Sequence, residues 1–303
     1  MQYSTFAAID IGSYDVILEI FEISKKQGIR SVDKICHRME LGKDTYTLGK
    51  IRPEMEEELC RVLADFVRIM EGYRVDDYRA TASSAISEAS NSLYVLGKIH
   101  QLTGFSVTVL SNSEQRFLSY KALAAMEDNF NKIIEKGTAI LDLDGGSFQI
   151  SLFDKDALVT TQNIRMGSLR IRERLAGIQS ETEHYEEMVE ELIWNEVSSF
   201  KKTYLKDRKI ENIMLIGDVF TDSVYQNIEE KTTKIISREN FNTWYEKIIR
   251  QSPMELAVKL GIPLENASLM YPSAVIYKCL IDMMGAEHIL MNRAADEERF
   301  KEI

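Results

Sequence analysis

The chain has 303 residues, 45% of them apolar and 28% charged, with a net charge of −11. At about 150 residues per domain this is room for two domains, each with its own core. The charge opposes DNA or any long polyanion as an easy partner, and no apolar run reaches the ~18 residues of a membrane-spanning helix.

Phe6 to Ile20 and Ala139 to Phe153 read as two copies of one device. Each is an apolar strand ending in an aspartate, a Gly/Ser turn, and a second alternating strand. Glycine is expected to supply positive φ at these turns. Val32 to Leu41 reads as a further strand, and Gly42 to Lys50 as a loop. Pro53 opens a helix whose acidic first turn suits the dipole. Its apolar face is Met55, Leu59, Val62, Leu63, Phe66 and Met70. Tyr78 to Thr81 reads as a short strand, Ala82 to Asn91 is rich in Ser and Ala, and a helix over Leu93 to Leu102 stops at Gly104. After a strand at Phe105 to Leu110, Ser111-Asn112-Ser113 reads as a cap for a helix from Glu114 to Met126. Beyond the second hairpin come a long helix over Glu181 to Leu205 and a strand at Asn212 to Gly217. Helices at Asn240 to Arg250, Met254 to Leu260 and Ser273 to Met284 follow, separated by Pro253, Pro263 and Pro272.

No basic stretch followed by an apolar block opens the chain, so no leader is expected. Cys36, Cys60 and Cys279 are scattered and odd in number. That predicts core or half-buried thiols in a reducing, cytoplasmic setting. His37, His100, His184 and His288 lack zinc-ligand spacing. P-loop and dinucleotide fingerprints are missing.

The motifs in order resemble the exopolyphosphatase/guanosine pentaphosphate phosphatase (Ppx/GppA) family. They are the first hairpin, Thr81 to Asn91, Val109 to Arg116, Leu141 to Ile150, Arg165 to Arg170, Ile262 to Ala267 and Pro272 to Ala274. The resemblance implies an α/β, two-lobed actin-like ATPase (ribonuclease H-like) fold with duplicated mixed β-sheets and flanking helices. A five-stranded sheet is expected in each lobe, with a cleft between the lobes. The expected division is 1–125 and 126–303, without the helical C-terminal region of longer relatives. The implied activity is release of terminal phosphate from polyphosphate or guanosine pentaphosphate, with Mg²⁺ or Mn²⁺. Glu114 matches the family's water-orienting base. Gly12, Ser13, Gly145, Gly146 and Ser147 match its phosphate-cradling turns, and Asp10, Asp142 and Asp144 would serve the cation. On position alone, a glutamate after Ser111-Asn112-Ser113 is also what an ordinary helix start contains, and Gly and Ser are common turn residues. The implied partners are polyphosphate or a guanosine nucleotide, with no DNA and no membrane. A homodimer is a candidate assembly.

The departures point to a weakened site. The first turn reads Gly12-Ser13-Tyr14-Asp15, where relatives have Gly-Ser-Asn-Ser. Asp144 replaces a glycine and Gln149 a glutamate, and an expected arginine falls on Ser87. Four carboxylates (Asp10, Asp15, Asp142 and Asp144) near one site would repel a phosphate unless a cation intervenes. Two alternatives therefore stand beside the enzyme. One is a non-catalytic phosphate or nucleotide sensor or scaffold. The other is a phosphotransferase, which the single glycine in Leu215-Ile216-Gly217-Asp218-Val219 disfavours.

Overall fold

The computed structural model describes residues 3–26, 28–126, 130–176, 184–206, 208–217, 220 and 234–291. The chain divides into two compact units, the first running to Tyr120 and the second beginning at Lys121.

The first unit is built on a hairpin of β1 (Ser4–Ile11) and β2 (Asp15–Ser24). β3 (Gly28–Arg38) pairs outside β2. β4 (Asp77–Ala82) and β5 (Val107–Val109) add in parallel on the other side of β1. The resulting order is β3-β2-β1-β4-β5. The Gly42 to Lys50 segment, expected as a loop, is instead largely helix α1 (Leu41–Leu48), which the left-handed Gly49 ends. α2 (Pro53–Tyr73) takes Pro53 at its first turn and buries Leu59, Val62, Leu63, Phe66 and Met70. Burying such side chains stabilises by about 1.5–3 kcal/mol each. These residues join Ala7, Ile9, Ile11, Val16, Leu18 and Ile20 in one core. α3 (Ser84–Ser87) and α4 (Ser92–Thr103) follow, with Gly104 closing α4 in the left-handed region as expected. α5 (Asn112–Met126) spans the boundary between the units.

The second unit repeats the plan. β6 (Thr138–Leu143) and β7 (Phe148–Asp154) form the hairpin. β8 (Ala157–Ile164) pairs outside β7, and β9 (Asn212–Ile216) runs parallel to β6. β10 (Lys234–Ser237) and β11 (His288–Met291) complete the order β10-β11-β9-β6-β7-β8. This sheet has six strands where five were expected, because the unforeseen β10 pairs antiparallel on the far side of β11. Removing β10 leaves the same arrangement as in the first unit.

Short α6 (Phe130–Ile134) and α7 (Ser168–Arg174) precede α8 (Tyr185–Phe200). α8 continues as a π-helical turn over Lys201–Leu205. Of the expected Glu181 start, residues 181–183 lie outside the described residues. α9 (Arg238–Ile249), α10 (Pro253–Leu260) and α11 (Leu264–Met284) complete the unit. Pro272 does not separate two helices as expected but lies inside α11, whose largely buried surface includes Tyr277. Packing overrides the hydrogen bond that proline removes. Among the described residues no helix is long and apolar enough to cross a membrane.

Candidate phosphate-binding turns

The two turns are closed by the same bond. Gly12 N donates to Asp15 O at 2.9 Å, and Asp144 N donates to Ser147 O at 2.9 Å. Asp10 and Asp142 therefore occupy matching places, two residues before the closing donor. Asp10 lies beside Thr81 of β4, whose hydroxyl donates to its Oδ1 at 3.2 Å. Asp142 is 9% exposed, and Gln149 lies opposite it.

In each unit the helix following the third strand grips its turn from one side. Gly42 N at the start of α1 donates to Ser13 O (2.7 Å). At the start of α7, Ser168 N donates to Asp144 O (3.2 Å) and Arg170 N to Gly145 O (3.0 Å). Arg170 Nε adds a bond to Gly146 O (2.8 Å). The peptides are trans, and in a trans peptide the N–H points opposite the C=O. The N–H groups of Tyr14, Gly145 and Gly146 therefore face away from the helix that holds their turn. Rows of such groups suit an anion.

Glycine is not needed at Gly12 for positive φ. Among the described residues the left-handed glycines are Gly28, Gly49, Gly104, Gly217, Gly261 and Gly285. At Gly12 the constraint is close approach, since a Cβ there would lie 2.9 Å from Asp15 Oδ1. Gly167 is tighter still, with a Cβ meeting Asp144 O at 2.2 Å and Ser147 N at 2.4 Å.

The side chains divide differently from the expectation. Ser13 is fully buried and its hydroxyl is hydrogen-bonded to Tyr46 (2.7 Å), which in turn reaches Ser84 (2.8 Å). The backbone around Ser13 faces the turn, while its hydroxyl ties α1 and α3 to it. Asp15 is paired with Arg38, whose Nη1 donates to Oδ2 at 2.8 Å. Asp144 Oδ1 accepts from the N–H of Gly145 at 2.6 Å, so a carboxylate already occupies part of the second turn's N–H row. Ser147 is half-buried and Ser87 is exposed at the end of α3. Cys36 is exposed, contrary to expectation, whereas Cys60 is buried and Cys279 half-buried.

Glu114 is exposed in the first turn of α5. Hydrogen bonds from the Ser111 hydroxyl and backbone N–H hold its carboxyl below the usual range, and Arg79 adds to this. It is thus ionised at neutral pH.

Among the described residues no three carboxylate, imidazole or thiol groups cluster as a ready metal cage. Mg²⁺ does not require one, because it is usually held by one or two carboxylates, water and substrate phosphate. The carboxylates of Asp10, Asp142 and Asp144 fit such a hard ion by donor type. Arg170 escaped sequence reasoning as a site residue. Its place three residues after Gly167 was visible, but its bond to Gly146 was not.

Comparison with known proteins agrees with this architecture. The family model of the Ppx/GppA phosphatase family matches residues 19–298. The chain is 21% identical over 306 residues to the bifunctional 3-dehydroquinate synthase/phosphatase of Fusobacterium nucleatum, covering 94% of this chain and 44% of that protein. It is 25% identical over 144 residues to exopolyphosphatase 1 of Mycobacterium leprae, covering 47% of this chain and 41% of the relative. The chain thus spans less than half the length of these curated relatives. The solved exopolyphosphatase of Cytophaga hutchinsonii superposes with a TM-score of 0.83 at 18% identity, over 97% of this chain and 96% of that one. The Aquifex aeolicus Ppx/GppA family member gives 0.74 at 18% identity, over 98% and 97%. The fold is the duplicated actin-like ATPase fold with a mixed sheet in each half. The chain belongs to the Ppx/GppA phosphatase family.

Proposed function

We propose that the chain is a phosphohydrolase that releases terminal phosphate from polyphosphate or guanosine pentaphosphate, with a site weaker than its family's usual pattern. The observation that carries this reading is the pair of equivalent turns, each gripped by a helix through its carbonyls and presenting Tyr14 N–H or Gly146 N–H on the other side. Phosphoryl transfer needs little covalent chemistry from the protein beyond positioned charge and an in-line water. Glu114, ionised and exposed, is the group for that water. The turns of Gly12 and Ser13 and of Gly145, Gly146 and Ser147 would cradle phosphoryl oxygens, through the N–H groups that the closing bond and the Asp144 carboxylate leave uncommitted. Asp10, Asp142 and Asp144 would hold Mg²⁺ or Mn²⁺, which when bound neutralises charge on the phosphates. Arg170, fixed at Gly146, adds positive charge beside the second turn. A cytoplasmic location and a homodimeric assembly belong to the same proposal.

The proposed weakening is supported by Asp144, whose carboxylate takes up a turn N–H, and by the neutral Ser87. These same features favour a second reading, a phosphate-binding sensor without turnover. Phosphate release from polyphosphate and guanosine pentaphosphate with Mg²⁺, compared with Glu114→Gln, decides between them. Release that vanishes in the variant supports the enzyme. Ligand-induced thermal stabilisation without any release supports the sensor.

A further inference from the structure

The aspartate of the first turn brings its own cation. Asp15 begins β2 and lies directly opposite Arg38, the last residue of β3. The Arg38 Nη1 to Asp15 Oδ2 bond is 2.8 Å. The Arg38 guanidinium also lies over the Tyr14 ring, 5.8 Å from its centroid. Tyr14 is one of the two residues enclosed by the turn's closing bond, and its carbonyl accepts from Met39 N, the residue after Arg38 (3.1 Å). The guanidinium is therefore anchored at two points beside the turn.

The two partners differ in exposure. Asp15 is 8% exposed, and its Oδ1 lies against Gly12 closely enough that a Cβ there would be at 2.9 Å. The Arg38 side chain keeps 37% of its surface. Among the described residues its guanidinium engages Asp15 and the Tyr14 ring, and Nη2 and Nε take no hydrogen-bond acceptor. A planar guanidinium with one edge fixed by a carboxylate and other donors open to solvent is pre-organised for a second anion. The pair also cancels the charge that Asp15 would otherwise set beside a phosphate.

We propose that Arg38, oriented by Asp15 and stacked on Tyr14, is the cation that contacts phosphoryl oxygens at the first turn. It supplies in this chain the positive charge that Ser87 lacks. The inference rests on the phosphate reading of the turns, and deepens it.

The test is calorimetric titration of the full chain with inorganic tripolyphosphate and Mg²⁺. Loss of a charge-assisted contact predicts that Arg38→Gln weakens binding about tenfold or more, and that Arg38→Lys, which keeps the charge but not the fork, falls between. A merely structural role would be to neutralise Asp15. The double variant Asp15→Asn/Arg38→Gln removes that need and also guards against misfolding from an unpaired buried carboxylate. If Arg38 contacts phosphate, the double variant stays weak. Wild-type affinity in the double variant or in Arg38→Gln overturns the assignment of Arg38 alone. Absence of any tripolyphosphate binding by the wild-type chain overturns the phosphate reading itself.

Discussion

Ser111 and Glu114 close a reciprocal cap at the start of α5. The Ser111 N–H and hydroxyl donate to Glu114 Oε2 at 2.9 and 2.7 Å, and Glu114 N donates back to the Ser111 hydroxyl at 3.2 Å. Ser252 and Glu255 make the same three bonds at the start of α10, at 2.8, 2.9 and 3.3 Å. Glu114 therefore has a structural occupation independent of any water it orients.

The cap and the proposed water-orienting role can be separated. A capping box accepts Gln as well as Glu at its third position, so Glu114→Gln keeps the cap and removes the charge. The expected outcome is a thermal midpoint close to that of the wild type, with phosphate release reduced by about 10²–10⁴-fold, the usual span for a lost general base. Equal loss of stability and turnover would reduce Glu114 to a cap.

Glu255 offers the matching pH experiment. Its carboxyl is held below the ordinary 4.5 by hydrogen bonds from the Ser252 backbone and hydroxyl. A depressed folded-state pKa contributes stability above the unfolded pKa, and that contribution disappears as pH falls through the folded value. Chemical denaturation of Glu255→Gln between neutral pH and pH ~3 should thus show a shallower acid-side loss than the wild type. An unchanged slope would mean that the cap persists equally in the unfolded chain.

The second turn should be intolerant of a single methyl group. Gly167→Ala places a Cβ against backbone atoms of Asp144, Gly145 and Ser147, all closer than 2.6 Å. None of these can rotate away, so the cost should exceed the usual overpacking range of about 1–3 kcal/mol, and tripolyphosphate binding should fall with it. Gly97 inside α4 has nothing within 4 Å of its Cβ position. There Gly→Ala should stabilise by about 0.5–1 kcal/mol. Denaturant midpoints for the pair test both statements, and a silent Gly167→Ala would deny the close approach.

The same contrast explains what could be read from the sequence. Both hairpins were legible because alternation and the Asp–turn–strand pattern are local. α1 was not, because Leu-Gly-Lys-Asp-Thr-Tyr-Thr-Leu contains Gly42, Thr45 and Thr47, all weak helix formers. Long-range bonds hold it instead, from Gly42 N to Ser13 O and from the Thr45 hydroxyl to Ala85 O. Pro272 misled in the opposite direction, a strong local breaker overruled by burial on several sides. The matching hairpin positions of Asp10 and Asp142, and the place of Glu114 at the start of α5, followed from the sequence pattern. The partners of Asp15 and Ser13 did not, because Arg38 and Tyr46 reach them only through strand register and helix packing.

Cys36 reports on the Asp15–Arg38 pair. Although the residue is exposed, its sulfur is directed at Asp15 Oδ2, 3.7 Å away. Desolvation of the sulfur, then the charge of Asp15, pushes the thiol up to about 11, against a downward pull from Arg38. Because the thiolate is the reactive species, alkylation of Cys36 at pH ~8 should be slow in the wild type, faster in Asp15→Asn and slower still in Arg38→Gln. Cys279, pushed up to about 12 chiefly by burial, serves as an internal reference that neither substitution moves. Identical Cys36 rates in all three proteins would remove the pair from the neighbourhood of the thiol.

Asp144 combines two potential duties, as Glu114 does, and the same logic divides them. Its Oδ1 caps the Gly145 N–H, a bond that an asparagine oxygen also accepts. Asp144→Asn should therefore leave the turn and the thermal midpoint nearly unchanged while removing one of the carboxylates proposed for the cation. With Mg²⁺ held by only a few carboxylates plus substrate oxygens, the half-saturating Mg²⁺ concentration for phosphate release should rise about tenfold, with a smaller effect at saturating metal. Should that concentration stay fixed, Asp144 would be a turn cap alone, and Asp10 and Asp142 would remain the carboxylates proposed for the ion.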